Sequence, residues 1–204
     1  MNRFSRLMLT FIIFCGGAVG WASANPVFVV DQQQIQGGND GDNVAQEHVG
    51  QTFTPTLGAI DSIWFSLGSQ GGAVSAFVNL RDSSAGDSFL GNLLSVSKPV
   101  TFSHLDLQAI QFDFGSMIGL KPGAIYVAEI VFDAPWRVDA SASDFYAGGL
   151  VIAGDTPVPE FDLVFREGLH VSSVPEPASL GLLGLALFGF GMTRRHASRA
   201  TNVG

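Results

Sequence analysis

Between its two ends the chain alternates apolar and polar residues with a period of two, and helical periodicity is nearly absent. Over Ile60–Leu67, the residues Ile63, Phe65 and Leu67 fall on one side and Ser62, Trp64 and Ser66 on the other. Over Val74–Arg81, Val74, Ala76, Val78 and Leu80 oppose Ser75, Phe77, Asn79 and Arg81. Ile110, Phe112 and Phe114 alternate with Gln111 and Asp113, and Phe161, Leu163 and Phe165 share a side. Each pattern predicts a strand with one face turned to a core. Shorter strands are predicted over Val27–Val30, Gln51–Thr54, Phe89–Ser97, Val100–Ser103 and Phe145–Ile152. Ala124–Phe132 is apolar on both sides, as a central strand would be. Turn-rich stretches separate these runs: Ile35–Asn43, Gly68–Gly72, Asp82–Ser88 and Lys121-Pro122-Gly123. Eight to ten short antiparallel strands with such punctuation predict an all-β sandwich or jelly roll. No repeat of fixed period suggests a propeller or solenoid. The strands are too short, and lack the lipid-facing side, for a membrane barrel.

The two ends follow other rules. Arg3 and Arg6 precede an apolar run, Leu7–Val19, which closes on Ala22-Ser23-Ala24. That order predicts a signal peptide over 1–24, cut after Ala24 to leave Asn25 first. The only cysteine, Cys15, would leave with it, so the exported part is held by packing and not by disulfides. At the other end, Val174-Pro175-Glu176-Pro177 leads into an apolar run from Ala178 to Met192 and then Thr193-Arg194-Arg195-His196. Pro175 and Pro177 fix φ, and the residues before them are pushed to extended geometry. A helix over 178–193 would span roughly 24 Å at about 1.5 Å per residue, a little short of a ~30 Å hydrocarbon core. Snorkelling arginines and local thinning would make up the difference. Arg194, Arg195 and Arg199 would then stay on the cytoplasmic side. The chain thus divides into a signal peptide (1–24), an ectodomain (25–173) and a tail (174–204) with a transmembrane helix and a basic stop over 194–199.

Charge sharpens this division. Residues 25–173 carry 17 acidic side chains and 5 basic ones, a formal charge of about −12. The other arginines all lie in the two ends. Such a domain repels phosphate backbones, which argues against nucleic acid as a partner.

The tail resembles the PEP-CTERM sorting signal of Gram-negative bacteria that make extracellular polysaccharide. The resemblance rests on Pro175-Glu176-Pro177, on the glycines of the apolar span (Gly181, Gly184, Gly189, Gly191) and on Arg194-Arg195, in that order at the chain end. It implies recognition by an exosortase, a membrane cysteine protease that would act near Val174–Pro177, with the chain as its substrate. It also implies passage across the inner membrane, transient anchoring there, and delivery to the cell surface or matrix. The middle is similar, less specifically, to sandwich ectodomains that accompany such tails. Gln51-Thr52-Phe53-Thr54-Pro55, Lys121–Tyr126, Tyr146–Gly149 and Asp162–Arg166 carry that likeness.

Catalytic chemistry is thin in this sequence. His48, His104, His170 and His196 form no H-x-x-x-H or H-E-x-x-H, and there is no G-x-S-x-G elbow. The reading is a non-enzymatic protein, with a polysaccharide hydrolase or a protein-interaction module of the matrix as the alternatives. Two binding features stand out. Asn39, Asp40, Asp42 and Asn43 could offer hard oxygen ligands to calcium, although such residues are also ordinary turn formers. Trp64 lies on the polar side of its strand. If neighbouring strands pair, it would share an open face with Phe77, Asn79, Arg81, Gln111 and Asp113. An aromatic ring beside amides and carboxylates suits a sugar, and makes exopolysaccharide the candidate partner.

Overall fold

A computed structural model describes residues 25–37, 39–41, 48–83, 88–143 and 145–172. Residues 27–171 form a compact unit built from two antiparallel sheets, a β-sandwich. The expected signal peptide over 1–24, the expected helix over 178–193 and the expected processing residues Val174–Pro177, Arg194 and Arg195 lie outside the described residues. Among the described residues no helix is long and apolar enough to cross a membrane.

The first sheet runs β1 (Pro26–Gln34), β14 (Phe165–Ser172), β4 (Ala59–Ser69), β10 (Trp136–Ser141) and β13 (Asp162–Leu163). In addition, β8 (Gln108–Gly119) lies along β4 and β2 (Asn39–Gly41) along β10. The second sheet runs β12 (Thr156–Val158), β11 (Val151–Ala153), β3 (His48–Phe53), β9 (Tyr126–Phe132), β5 (Val74–Asp82) and β6 (Leu93–Val96), with β7 (Val100–Phe102) also on β5. The strand parities expected from the sequence place the core. Ile63, Phe65 and Leu67 of β4 and Val74, Ala76, Val78 and Leu80 of β5 are buried between the sheets. Phe112 and Phe165 flank Phe65, with ring centroids 6.5 and 6.3 Å away. Each such side chain contributes about 1.5–3 kcal/mol by leaving water.

Several segments differ from the sequence expectation, each for a local reason. β10 occupies a stretch where no strand is predicted from the sequence, yet Trp136, Val138 and Ala140 are buried and alternate with Arg137 and Asp139. Residues 39–41 of the expected loop pair with β10 at Val138–Ala140. Residues 145–150 form turns instead of a strand, because Tyr146 is held there by its side chain and backbone. Ala124–Phe132 contains the expected central strand, between β3 and β5, although its outer face carries the buried Glu129.

One irregularity matters most for the surface. Ile60 and Ile63 both enter the same core although three residues apart, positions that fall on opposite faces of a regular strand. The register between β4 and β8 shifts between Ile60 and Ser62. Ile60 pairs with Ile118 but Ser62 pairs with Asp113, so four residues of β8 stand opposite the single residue Asp61; Phe114 turns into the core and the exposed 115–117 arch out. Gly115 makes the arch possible, with φ of 78°. A bulge of this kind re-aims side chains.

Candidate ligand groove on the outer face of the first sheet

The bulge opens a groove of about 340 Å³, lined by Asp61, Lys98, Gln111, Asp113, Gly115, Ser116, Met117 and His170. Three elements of the first sheet and the segment after β6 supply its walls. Asp61 sits at the bulge of β4, Gln111 and Asp113 on β8, and His170 on β14. Lys98 is tied in through its backbone N–H, which donates to the Asp113 carbonyl at 2.8 Å.

Each polar wall is held by a neighbour. The Asp61 carboxylate accepts from the His170 backbone N–H at 2.8 Å and lies 3.0 Å from the His170 ring Nδ1. The Phe28 ring of β1 packs on His170 with centroids 5.0 Å apart. Gln111 donates its side-chain amide to Asp113 at 2.8 Å. The groove therefore offers carboxylate acceptors, a lysine donor and an amide within one open concavity. Among the described residues, no three His, Cys, Asp or Glu side chains group as a metal site would require.

The sequence-derived candidates separate into two sets. Trp64, Gln111 and Asp113 do lie on one face: Trp64 pairs across the strands with Gln111, and Ser62 with Asp113. Trp64 also pairs with Arg166 on its other side, whose guanidinium carbon lies 4.7 Å from the ring centroid. Phe77, Asn79 and Arg81 do not share that face, because β5 belongs to the second sheet. There Arg81 Nε and Asn79 Nδ2 both donate to one oxygen of Glu129, each at 2.8 Å. Glu129 is buried, so both side chains are committed to the fold. The expectation of one face joining all six residues fails for that reason. Next to them Phe89 packs with Val127, Ile152 and Leu150, over the ground left open by Gly50.

Trp136 and Tyr146 are core residues. Trp136 stacks on Phe132 with centroids 4.0 Å apart. The Tyr146 hydroxyl accepts from the Thr54 N–H at 3.0 Å. Burial is the main reason its pKa is pushed up to about 12, with the charges of Glu167, Asp31 and Asp162 adding to it. Of the calcium candidates, Asn39 and Asp40 belong to β2, while Asp42 and Asn43 lie outside the described residues.

Asp61, Lys98 and His170 were not identifiable as site residues from the sequence. Their convergence depends on the bulge, on long-range pairing and on the turn after β6. The one usable signal was Gly115-Ser116 interrupting an otherwise alternating strand.

Residues 173–195 match the family model described as the PEP-CTERM protein-sorting motif. The chain carries an exosortase sorting signal. This motif supports export, transient anchoring in the membrane and processing by an exosortase. It covers the tail and says nothing about the groove. No curated protein matches the sequence.

Proposed function

We propose that the sandwich is a non-enzymatic binding module of the cell surface or extracellular matrix of a Gram-negative bacterium, and that its groove takes a saccharide of the exopolysaccharide. The observation that supports this most is the position of Gln111. It lines the groove, donates to Asp113 and stands directly beside Trp64. Carboxylates and amides that can take hydroxyls thus adjoin an aromatic ring that can cover a C–H face. Arg166 already occupies one side of that ring, so a sugar would meet the ring's remaining surface at the groove margin. The sorting signal would bring the module to the compartment where such polymers accumulate.

The test is retention of the full chain, in detergent, on the exopolysaccharide of its own host. Asp113→Asn and Gln111→Ala should each lower retention by roughly tenfold, the usual scale for one hydrogen bond to a charged or polar ligand group. Unaltered retention in both variants, with melting unchanged, would remove the groove as the site.

A further inference from the structure

The second notable cluster of titratable groups lies where the first strand of the fold meets the last. β1 is an edge strand of the first sheet and runs beside β14. Most of its side chains are exposed or half-buried. The two backbones approach closely at Gly168, where a Cβ would run into the Val29 carbonyl. Besides that ladder, side chains of Phe28, Asp31 and Gln32 fasten β1, and Gln32 Oε1 accepts from the Tyr146 hydroxyl at 3.3 Å. Phe28 packs on His170, and the Asp31 carboxylate accepts from the Thr56 and Leu57 backbone N–H groups, both at 2.8 Å, and from the Thr56 hydroxyl.

Glu167 of β14 is fully buried next to that carboxylate. No well-formed hydrogen bond reaches either of its side-chain oxygens among the described residues. The titratable neighbours of Glu167 are Asp31 of β1 and Tyr146 of the turn before β11, with Asp162 of β13 behind Tyr146. β4 presents the apolar Ile63 as its cross-strand partner. No cation among these neighbours offsets a second negative charge. Two carboxyl groups in such a place cannot both ionise at ordinary cost. The donors around Asp31 make it the charged member, which leaves the proton on Glu167.

We propose that β1 is a proton-locked strap: it stays on the sheet while Glu167 keeps its proton against Asp31, and it comes away as Glu167 gives that proton to solvent. The perturbed titration of the pair agrees with the geometry. Burial first, and the Asp31 charge second, push Glu167 up to about 8, and the nearby Gln32 N–H offsets only part of this. An opened strap exposes Glu167, whose pKa then returns to the ordinary 4.5. Opening should therefore become more favourable by about tenfold per pH unit between these two values, then level off. Release would also take Phe28 off His170, so the groove wall would loosen with the strap. That last consequence rests on the groove being a binding site; the strap itself does not.

The experiment is hydrogen exchange of the full chain in detergent, comparing β1 amides in the wild type and in Glu167→Gln at the same pH, so that intrinsic exchange rates cancel. The amide introduced by this substitution keeps a donor toward Asp31 without an ionisable proton. The expected result is a wild-type to variant exchange ratio at 27–34 that rises by about tenfold per unit from pH 5 to pH 8 and then flattens. The central strands β4 and β9, which exchange only on global unfolding, carry the same linkage but should stay far better protected than β1 at every pH. A ratio that stays flat across this range overturns the proposal. So does a protection of β1 equal to that of β4 and β9, which would mean that β1 opens only by global unfolding. If Glu167→Gln does not fold, Glu167→Leu replaces it, with the same two outcomes read on the same strand. Saccharide binding does not enter this measurement, so its result is separate from the fate of the groove.

Discussion

The guanidinium of Arg166 lies 4.7 Å from the centroid of the Trp64 ring, and the two residues are direct partners across β14 and β4. The pair shows that the open face of the first sheet is organised before any ligand arrives. One side of the indole is covered and both residues are half-buried. Removing the arginine side chain should uncover the ring. Arg166→Ala is expected to lower stability by about 1 kcal/mol, the scale of a partly exposed cation–π contact with its packing. It should also make the fluorescence of Trp64 more quenchable by acrylamide. Trp136, stacked and buried, supplies an internal reference that should not change.

The second sheet makes a contrasting prediction. Arg81 and Asn79 look like surface ligand groups in the sequence but converge on the buried Glu129. Arg81→Ala would take a guanidinium donor and its charge away from that buried carboxylate. The expected cost is about 3 kcal/mol, the scale of removing one partner of a buried ion pair. Urea unfolding should show it as a lowered midpoint. Arg81→Ala combined with Glu129→Gln should recover part of the loss, and neither change should affect exopolysaccharide retention once the protein is folded.

Here the limits of the sequence have a physical cause. Alternation told which side of β4, β5 and β8 faces the core, because burial requires period two. It could not tell which strands are neighbours. Asn79 and Gln111 both read as polar-face residues, yet they lie in different sheets. The alternation of Trp136, Val138 and Ala140 carries β10 in the sequence, yet no strand is predicted there. The groove was least legible. Asp61 reaches it through a register shift, and His170 and Lys98 come from strands and turns far apart in the chain. The sorting signal was the most legible feature, because contiguous residues carry it.

Acid and base should act on opposite members of the carboxyl pair. Glu167 has a folded pKa raised to about 8, above its ordinary 4.5, so it favours the folded state most below pH 4.5. That contribution is lost as pH rises from about 4.5 to 8, and the loss is on the order of a few kcal/mol. Asp31 goes the other way. Burial alone would raise it, but the Thr56 hydroxyl, the Leu57 and Thr56 N–H groups and Gln32 together hold it below the usual 3.8. Its contribution is present above pH 3.8 and disappears as pH falls below that value. Melting followed from pH 3 to pH 9 should show a maximum near pH 4 to 5. Glu167→Gln should flatten the alkaline side of that curve and leave the acid side in place.

Two glycines test how the frame is built. At Gly149 a Cβ would collide with the Thr52 carbonyl, and at Gly168 with that of Val29. Both obstacles are backbone. Gly168→Ala should push β1 off β14 and raise proteolytic cutting within 26–34, while β4 and β9 keep their exchange protection. Gly149→Ala should strain the segment that docks on β3, lowering the melting temperature by several degrees, as expected for a loss on the order of 1–3 kcal/mol in a domain of this size.

The most direct test of the binding account is a footprint. Oligosaccharides cut from the host exopolysaccharide would be added to the isotopically labelled full chain in detergent, and amide shifts followed by NMR. The account predicts changes concentrated at Asp61, Lys98, Trp64, at residues 111–117 and at His170, with none over the Asn79–Arg81 face. Shifts confined to the second sheet, or no shifts at saturating oligosaccharide, would contradict it.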